Sequence, residues 1–259
     1  MALVAGCGSY SRLLKTNDHD RMYRAALEFA EEGRFQRTLE LMTRVRMQYL
    51  NHPRADTVMF YTGLAHFRLG DFESSGMVFD EFRQTHTRSP FLQEAEFLYA
   101  MGFYHSSPDP QRDQTATHRA LAAIAEYLSR YPDTLRREQL EENVVTLTQK
   151  LHDKVFLNAR TYYRIGRYRS AIVALQNALD EYPQTNHREE MTFMIVRSSF
   201  EFARGSAEAM RRDRYLDMLD RSLTYVSEFP EGRFVRDVER MQRQARSYLA
   251  RFSDDPAER

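Results

Sequence analysis

Side chains able to do chemistry are few and scattered along this chain. It holds one cysteine, Cys7, and eight histidines. Asp18-His19-Asp20 sets two carboxylates around an imidazole, the raw material of a charge relay or a metal site. The triplet stands where a helical apolar pattern begins, however, and an Asp there accepts from the free backbone N–H groups of the first turn. Helix capping is therefore the role expected of Asp18. His66 and His105 have no carboxylate or cysteine at ligand spacing, and His118, His152 and His187 stand isolated. Neither a Gly-rich phosphate loop nor a Gly-x-Ser-x-Gly elbow occurs. A single cysteine offers no internal disulfide and no zinc cluster. The sequence thus predicts no catalytic residue, no metal site and no cofactor.

Cys7 lies among small and polar residues, outside any periodic apolar pattern, which weakens the alternative of a stray buried or surface thiol. Val4-Ala5-Gly6-Cys7 resembles a bacterial lipobox, the small-residue motif ahead of a cysteine that receives lipid. Only six residues precede it, so the charged and apolar regions of a signal peptide are missing, and a truncated or trimmed start is expected. Gly8-Ser9-Tyr10-Ser11 reads as a polar tether, with folded sequence from about Asn17. Each buried methylene of an attached lipid contributes about 0.8 kcal/mol, so several chains make release negligible. In the lipoproteins this stretch resembles, Gly8 rather than Asp after the cysteine favours delivery to the outer membrane.

Apolar residues make up 42% of the chain, enough for a substantial core. The 37 basic and 37 acidic side chains cancel. That balance argues against a dedicated nucleic-acid binder. No apolar run reaches the roughly 18 residues that a membrane-spanning helix needs.

The elements that carry these residues show themselves as a repeat. Gly33-Arg34-Phe35 recurs as Gly70-Asp71-Phe72, 37 residues on, and again as Gly166-Arg167-Tyr168; Ala26, Gly63 and Ala100 share the 37-residue step. Tyr131-Pro132, Tyr182-Pro183 and Phe229-Pro230 close units. Gly takes the left-handed conformation that ends a helix, and Pro stops the next one. Small residues at Ala26, Gly63, Ala100 and Ala159 let helices approach. Ala159, Tyr162, Gly166, Tyr168, Ala171, Leu175, Ala178 and Pro183 stand at the spacing of the tetratricopeptide repeat (TPR), a helix-turn-helix of about 34 residues.

The fold class expected is all-α, a TPR-type α-solenoid. Five units are read at about 17–53, 54–90, 91–134, 135–185 and 186–232, with a capping helix over about 233–252. Residues 1–16 form the lipobox remnant and tether, and 253–259 a polar tail. Ser106 to Thr115, with Pro108 and Pro110, is an insertion that cannot be helical, and Asp113 or Thr115 is expected to cap the helix after it. The fourth unit opens on a long helix, about 135–165. Its Leu140, Val144, Leu147 and Leu151 either pack on a neighbouring repeat or meet another subunit.

Lipobox, irregular TPRs, Tyr-Pro closures, the Ser-Pro-Asp-Pro insertion and Ala171-Ile172-Val173-Ala174-Leu175 together resemble the BamD family, over nearly the whole chain. The resemblance implies a non-enzymatic scaffold lipoprotein of the machinery that inserts β-barrels into the outer membrane. It would sit on the periplasmic face, held by lipid on Cys7. Its C-terminal repeats would bind the periplasmic domains of the barrel-forming subunit, with other assembly lipoproteins or subunits nearby. Its N-terminal repeats would meet unfolded outer-membrane proteins. The other reading left open is a periplasmic TPR adaptor of cell-envelope or division machinery.

First helices of TPRs line the recognition groove, and here three columns step by 37: Tyr23, Phe60, Phe97; Leu27, Leu64, Met101; and Ala30, Phe67, Tyr104. Tyr23, Leu27, Phe60, Leu64, Phe67, Phe97, Met101 and Tyr104 are the expected substrate-groove residues, either open to a ligand or half-buried between helices. Arg160, Arg164, Arg167, Arg169 and Arg188 are the candidates for contact with an acidic partner domain, or else a solvated face.

Overall fold

A computed structural model describes the backbone of residues 6–253 and the side chains of residues 10–251. Twelve α-helices and no strand occur among the described residues: α1 (Gly6–Leu13), α2 (His19–Glu31), α3 (Phe35–Tyr49), α4 (Ala55–Arg68), α5 (Phe72–Thr85), α6 (Leu92–Ser106), α7 (Thr115–Arg130), α8 (Arg137–Arg164), α9 (Tyr168–Glu181), α10 (Arg188–Arg204), α11 (Glu208–Glu228) and α12 (Val235–Ser253). The pairs α2/α3, α4/α5, α6/α7, α8/α9 and α10/α11 fall one in each of the five spans read from the sequence. The fold is the all-α, TPR-type class. Two compact units divide within α8, residues 1–147 and 148–259.

The turns have the cause the sequence suggests. Gly33, Gly70 and Gly166 carry φ of +73°, +80° and +71°. Each ends its helix in the same way: the next residue's N–H (Arg34, Asp71, Arg167) reaches back to the carbonyl of Phe29, His66 or Tyr162 at 2.7, 3.0 and 2.9 Å. These six-to-one bonds occupy carbonyls that the helix end leaves free. Tyr131, Tyr182 and Phe229 terminate α7, α9 and α11 with ψ of 70°, 74° and 65°, outside the helical region that a following proline disfavours. Asp18 caps α2, its Oδ1 accepting from the Arg21 N–H at 2.9 Å. At α7 the cap residue is Gln114, with no side-chain cap bond, while Asp113 Oδ1 accepts from the Thr115 N–H at 2.9 Å.

In the first unit, consecutive helices from α2 to α7 pack pairwise. The small-residue positions do the work expected of them. Ala26 and Ala100 are fully buried, and a Cβ on Gly63 would stand 2.8 Å from the Phe79 ring. A hydrogen bond repeats with the period: Thr38 Oγ1 donates to the Ala26 carbonyl at 3.3 Å, and 37 residues on Ser75 Oγ donates to the Gly63 carbonyl at 3.1 Å. Each ties a second helix to the closest point of its first helix. Leu140 and Leu147 of α8 are buried with Met101, Ile124 and Tyr127, so the neighbouring-repeat reading holds for them.

The start of the chain differs from expectation. Gly8 to Ser11, read as a tether, lies in α1. Tertiary contacts override the Gly and Ser content. Tyr10 OH donates to Glu40 at 2.6 Å, its ring meets Phe29 edge-on at 5.6 Å, and Leu13 is buried beside Met22 and Leu41. Val4, Ala5, the Cys7 side chain and the tail from 254 lie outside the described residues.

In the second unit Phe156 and Ala159 of α8 pack with Ala171 and Leu175 of α9 and Met191 of α10. Val238, Met241 and Ala245 of α12 cover Phe200, Tyr215 and Met218, which is the capping role expected of the last helix.

Candidate functional site

The first-helix columns of the first unit divide into core and surface. Tyr23 is 7% exposed and stacks on Tyr49 at 5.2 Å; Phe60 is 5% exposed and stacks on Phe91 at 4.6 Å. Met101 is 6% exposed, its sulfur 3.5 Å from Asn143 Nδ2. These three are interior side chains rather than groove lining, because the same period that aligns a ligand column also aligns the seam between stacked hairpins. Leu27, Leu64, Phe67, Phe97 and Tyr104 are half-buried and keep one side to solvent. Phe97 lies under the Arg136 guanidinium at 3.8 Å, which Glu94 anchors at 2.6 Å. Phe67 meets Phe72 edge-on at 5.3 Å, and His105 stacks on Phe72 at 5.1 Å. Partial desolvation lowers the His105 pKa.

A second surface of this unit escaped the sequence reading. Between α5 and α7, with α6 as floor, lies a cavity of about 590 Å³ lined by Phe72, Gly76, Met77, Tyr99, Phe103 and Arg119 among others. A neighbouring cavity of about 390 Å³ shares Asp80, Tyr99, Phe103 and Arg119 with it. Tyr99 and Phe103 stand edge to face at 5.0 Å. Met77 is 64% exposed. The far end is closed by Arg83, which reaches both Glu126 oxygens at 3.0 Å. One signal for this surface exists in the sequence: α6 carries large apolar residues all round, whereas a helix with one solvent face should not.

In the second unit the five arginines behave differently from one another. Arg188 is committed internally: it pairs with Glu228 of α11 and donates to the Pro183 carbonyl at 3.1 Å. The Glu228 hydrogen bond raises its pKa. Arg160 lies 5.0 Å over Phe156, whose other partner is His187, stacked at 4.0 Å. Arg164, Arg167 and Arg169 are exposed, in the stretch of chain that also exposes Tyr162, Ile165 and Val173. Guanidinium groups beside apolar side chains form the composition of a protein-binding surface. A cavity of about 680 Å³ lies between α9 and α11 over α10, lined by Leu179, Ile195, Asp180, Asp220, Arg221 and others.

Hairpins that display aromatic and arginine-bearing faces define the chain as a TPR-type interaction protein. The YfiO family, described as outer membrane lipoprotein, matches residues 15–164 and again 153–253. The chain belongs to that family. The outer membrane protein assembly factor BamD of Caulobacter vibrioides is 23% identical over 199 residues, 75% of this chain and 65% of that protein. BamD of Neisseria meningitidis serogroup B is 22% identical over 181 residues, 66% of this chain and 68% of that protein. The chain thus spans about two thirds of the length of these curated relatives. Among solved structures, the TPR2AB-domain:pHSP90-complex of yeast Sti1 aligns over 88% of this chain and 98% of that one, at 11% identity and a TM-score of 0.41. No described helix is long and apolar enough to cross a membrane.

Proposed function

We propose that this protein is a non-catalytic scaffold lipoprotein of outer-membrane β-barrel assembly. It is anchored by lipid on Cys7 at the periplasmic face of the outer membrane. The observation that carries the reading is the family match, which runs from residue 15 to residue 253 and so takes in both units. The first unit offers the half-buried apolar side chains Leu27, Leu64, Phe67, Phe97 and Tyr104 to unfolded outer-membrane proteins. The second unit offers Arg160, Arg164, Arg167 and Arg169 to the periplasmic domains of the barrel-forming subunit, with Arg188 holding α10 to α11 behind them. Other assembly lipoproteins complete the set of partners. The scaffold works by raising the effective concentration of client and insertase at the membrane. Nothing in this role requires a reaction at the protein, and no nucleic acid takes part.

Photocrosslinking from positions 67 and 104 in cells, followed by mass spectrometry, tests the client assignment. Outer-membrane β-barrel proteins are the expected catch; recovery of soluble cytoplasmic proteins alone would end the proposal. Cys7→Ser should release the chain from the membrane fraction and abolish incorporation of labelled fatty acid.

A further inference from the structure

We infer that α9 is a self-association helix: two copies of this chain pack α9 against α9, antiparallel, about a two-fold axis. The inference does not depend on the function proposed above. It starts from charges placed the wrong way round. An acidic residue in the first turn of a helix and a basic one in the last complement the helix dipole. Among the described helices, each of the others has at least one of the two, and α9 alone has neither. Instead Arg167 is its N-cap residue and Arg169 lies in its first turn, while Asp180 and Glu181 close it. Arg169 and Asp180 are both exposed, and neither has an ion pair among the described residues.

The same helix presents one continuous solvent-facing stripe. Arg169, Val173, Gln176 and Asp180 follow at i, i+4, i+7 and i+11, which is one face of an α-helix, and all four are exposed. On the other side Ala171, Leu175 and Ala178 are buried with residues of α8 and α10. From Arg169 to Asp180 the stripe runs roughly 16 Å at 1.5 Å per residue. It reads basic, apolar, polar, acidic, so it complements itself only when the second copy runs the other way. Arg169 then faces Asp180 of the second copy, and Val173, 56% exposed, faces the methylenes of Gln176, whose amide Arg221 holds at 3.2 Å. Each contact occurs twice, as a two-fold axis requires. Each end of the α9 dipole also receives from the second copy the charge that its own sequence withholds. The surroundings agree in sign. Arg164 and Arg167 add to the basic end, and Asp220 of α11 adds to the acidic end, where Asp217 and Glu228 are already taken by Arg221 and Arg188. A parallel arrangement would set arginine on arginine. A copy so paired has no Arg169 left for any other acidic surface.

The test uses the full chain with Cys7→Ser, which removes lipid and any disulfide between copies. A single helix pair is a small contact, so sedimentation equilibrium over about 1–200 µM should show a monomer–dimer equilibrium. Nothing larger should form, since a two-fold contact closes on itself. Arg169→Glu sets carboxylate against carboxylate, and Asp180→Arg sets guanidinium against guanidinium; each alone should weaken the dimer by about tenfold or more. Both substitutions place a charge that the dipole of α9 favours, so neither should lower the Tm of the monomer. An equimolar mixture of the two variants should dimerise again to within about threefold of the starting chain, because each supplies the charge the other lacks. The two substitutions together in one chain should do the same. A starting chain that stays monomeric at about 200 µM overturns the inference. So does growth beyond the dimer, or a failure of both the mixture and the double variant to associate better than the single variants. The scaffold reading stands whichever way this falls, since its own test is the crosslinked catch.

Discussion

Two grooves occupy the same place in two different units. In the first unit α5 and α7 stand apart over α6; in the second α9 and α11 stand apart over α10. Both are bridged across by an arginine: Arg83 to Glu126 in the first, and Arg221 to Gln176 at 3.2 Å in the second. The floors then diverge. Tyr99 and Phe103 make the first aromatic, whereas Thr192 and Ile195 make the second small and aliphatic. The charges run in parallel: carboxylates outnumber arginines in both, with Glu73, Asp80 and Asp113 against Arg119 in the first and Asp180, Asp217, Asp220 and Glu228 against Arg188 and Arg221 in the second. One backbone plan therefore presents an aromatic-floored slot and an aliphatic-floored one, both acidic. Helix packing sets where a groove occurs; a few side chains decide what lines it.

The comparison presumes that the first groove stands on a rigid core, and the largest expected effect tests that. Phe79 is fully buried against Phe60 and Phe82, so Phe79→Ala should destabilise the first unit by about 3–5 kcal/mol in urea unfolding. A loss under about 1 kcal/mol would mean that the α4–α6 core is loosely packed. In the second unit the matching test is Gly232→Ala. Its Cβ would stand 2.7 Å from both Glu189 Oε1 and Tyr225 OH, which bond each other at 2.9 Å. About 1–3 kcal/mol should be lost.

Glycines in the first unit should respond with opposite signs. Gly70→Ala forces a Cβ into φ +80° and should cost about 1 kcal/mol. Gly76→Ala, in open space within α5, should add about 0.5–1 kcal/mol. Thermal melts of the pair check the sign as well as the size. Smaller again are the cross-groove bridges: Arg83→Ala and Arg221→Ala should each cost less than about 1 kcal/mol, Arg83 the more because it crosses to the Glu126 carboxylate, whereas Arg221 crosses to the neutral Gln176 amide and pairs with Asp217 on its own helix.

Titration gives the last test. The Tyr49 hydrogen bond holds the Asp20 carboxyl below its ordinary range, and hydrogen bonds from Ser74 do so for Asp71. Their stabilisation is present above the ordinary carboxylate range near pH 3.8 and is lost as pH falls through the lowered values. The first unit should therefore loosen in acid, and Asp20→Asn with Asp71→Asn should flatten that dependence. At the other extreme, burial first and carboxylate hydrogen bonds second push Tyr10 and Tyr49 in the first unit and Tyr225 in the second to about 12. Both units should keep this contribution below pH 10 and lose it as pH rises towards 12, as circular dichroism would record.

The backbone plan was legible in the sequence because its causes are local. A glycine that ends a helix at φ near +75°, a proline that forbids the next turn and an aspartate that caps the first turn all act within about six residues. The 37-residue step then follows from repetition, and with it the TPR class. Which side of a helix faces solvent is a different kind of fact, decided by residues far along the chain. Tyr23, Phe60 and Met101 share a period with Leu27, Leu64 and Tyr104, yet Tyr49, Phe91 and Asn143 cover the first three. Arg188 reads like Arg169 until Glu228 of another helix takes it. Gly8 to Ser11 reads as a tether until Glu40 and Phe29 hold Tyr10. The α5–α7 groove leaves only the all-round apolar pattern of α6 as its trace in the sequence, because it exists only where two helices diverge and leave the third uncovered. Local backbone constraints wrote the hairpins into the sequence; non-local packing chose the surfaces left to solvent.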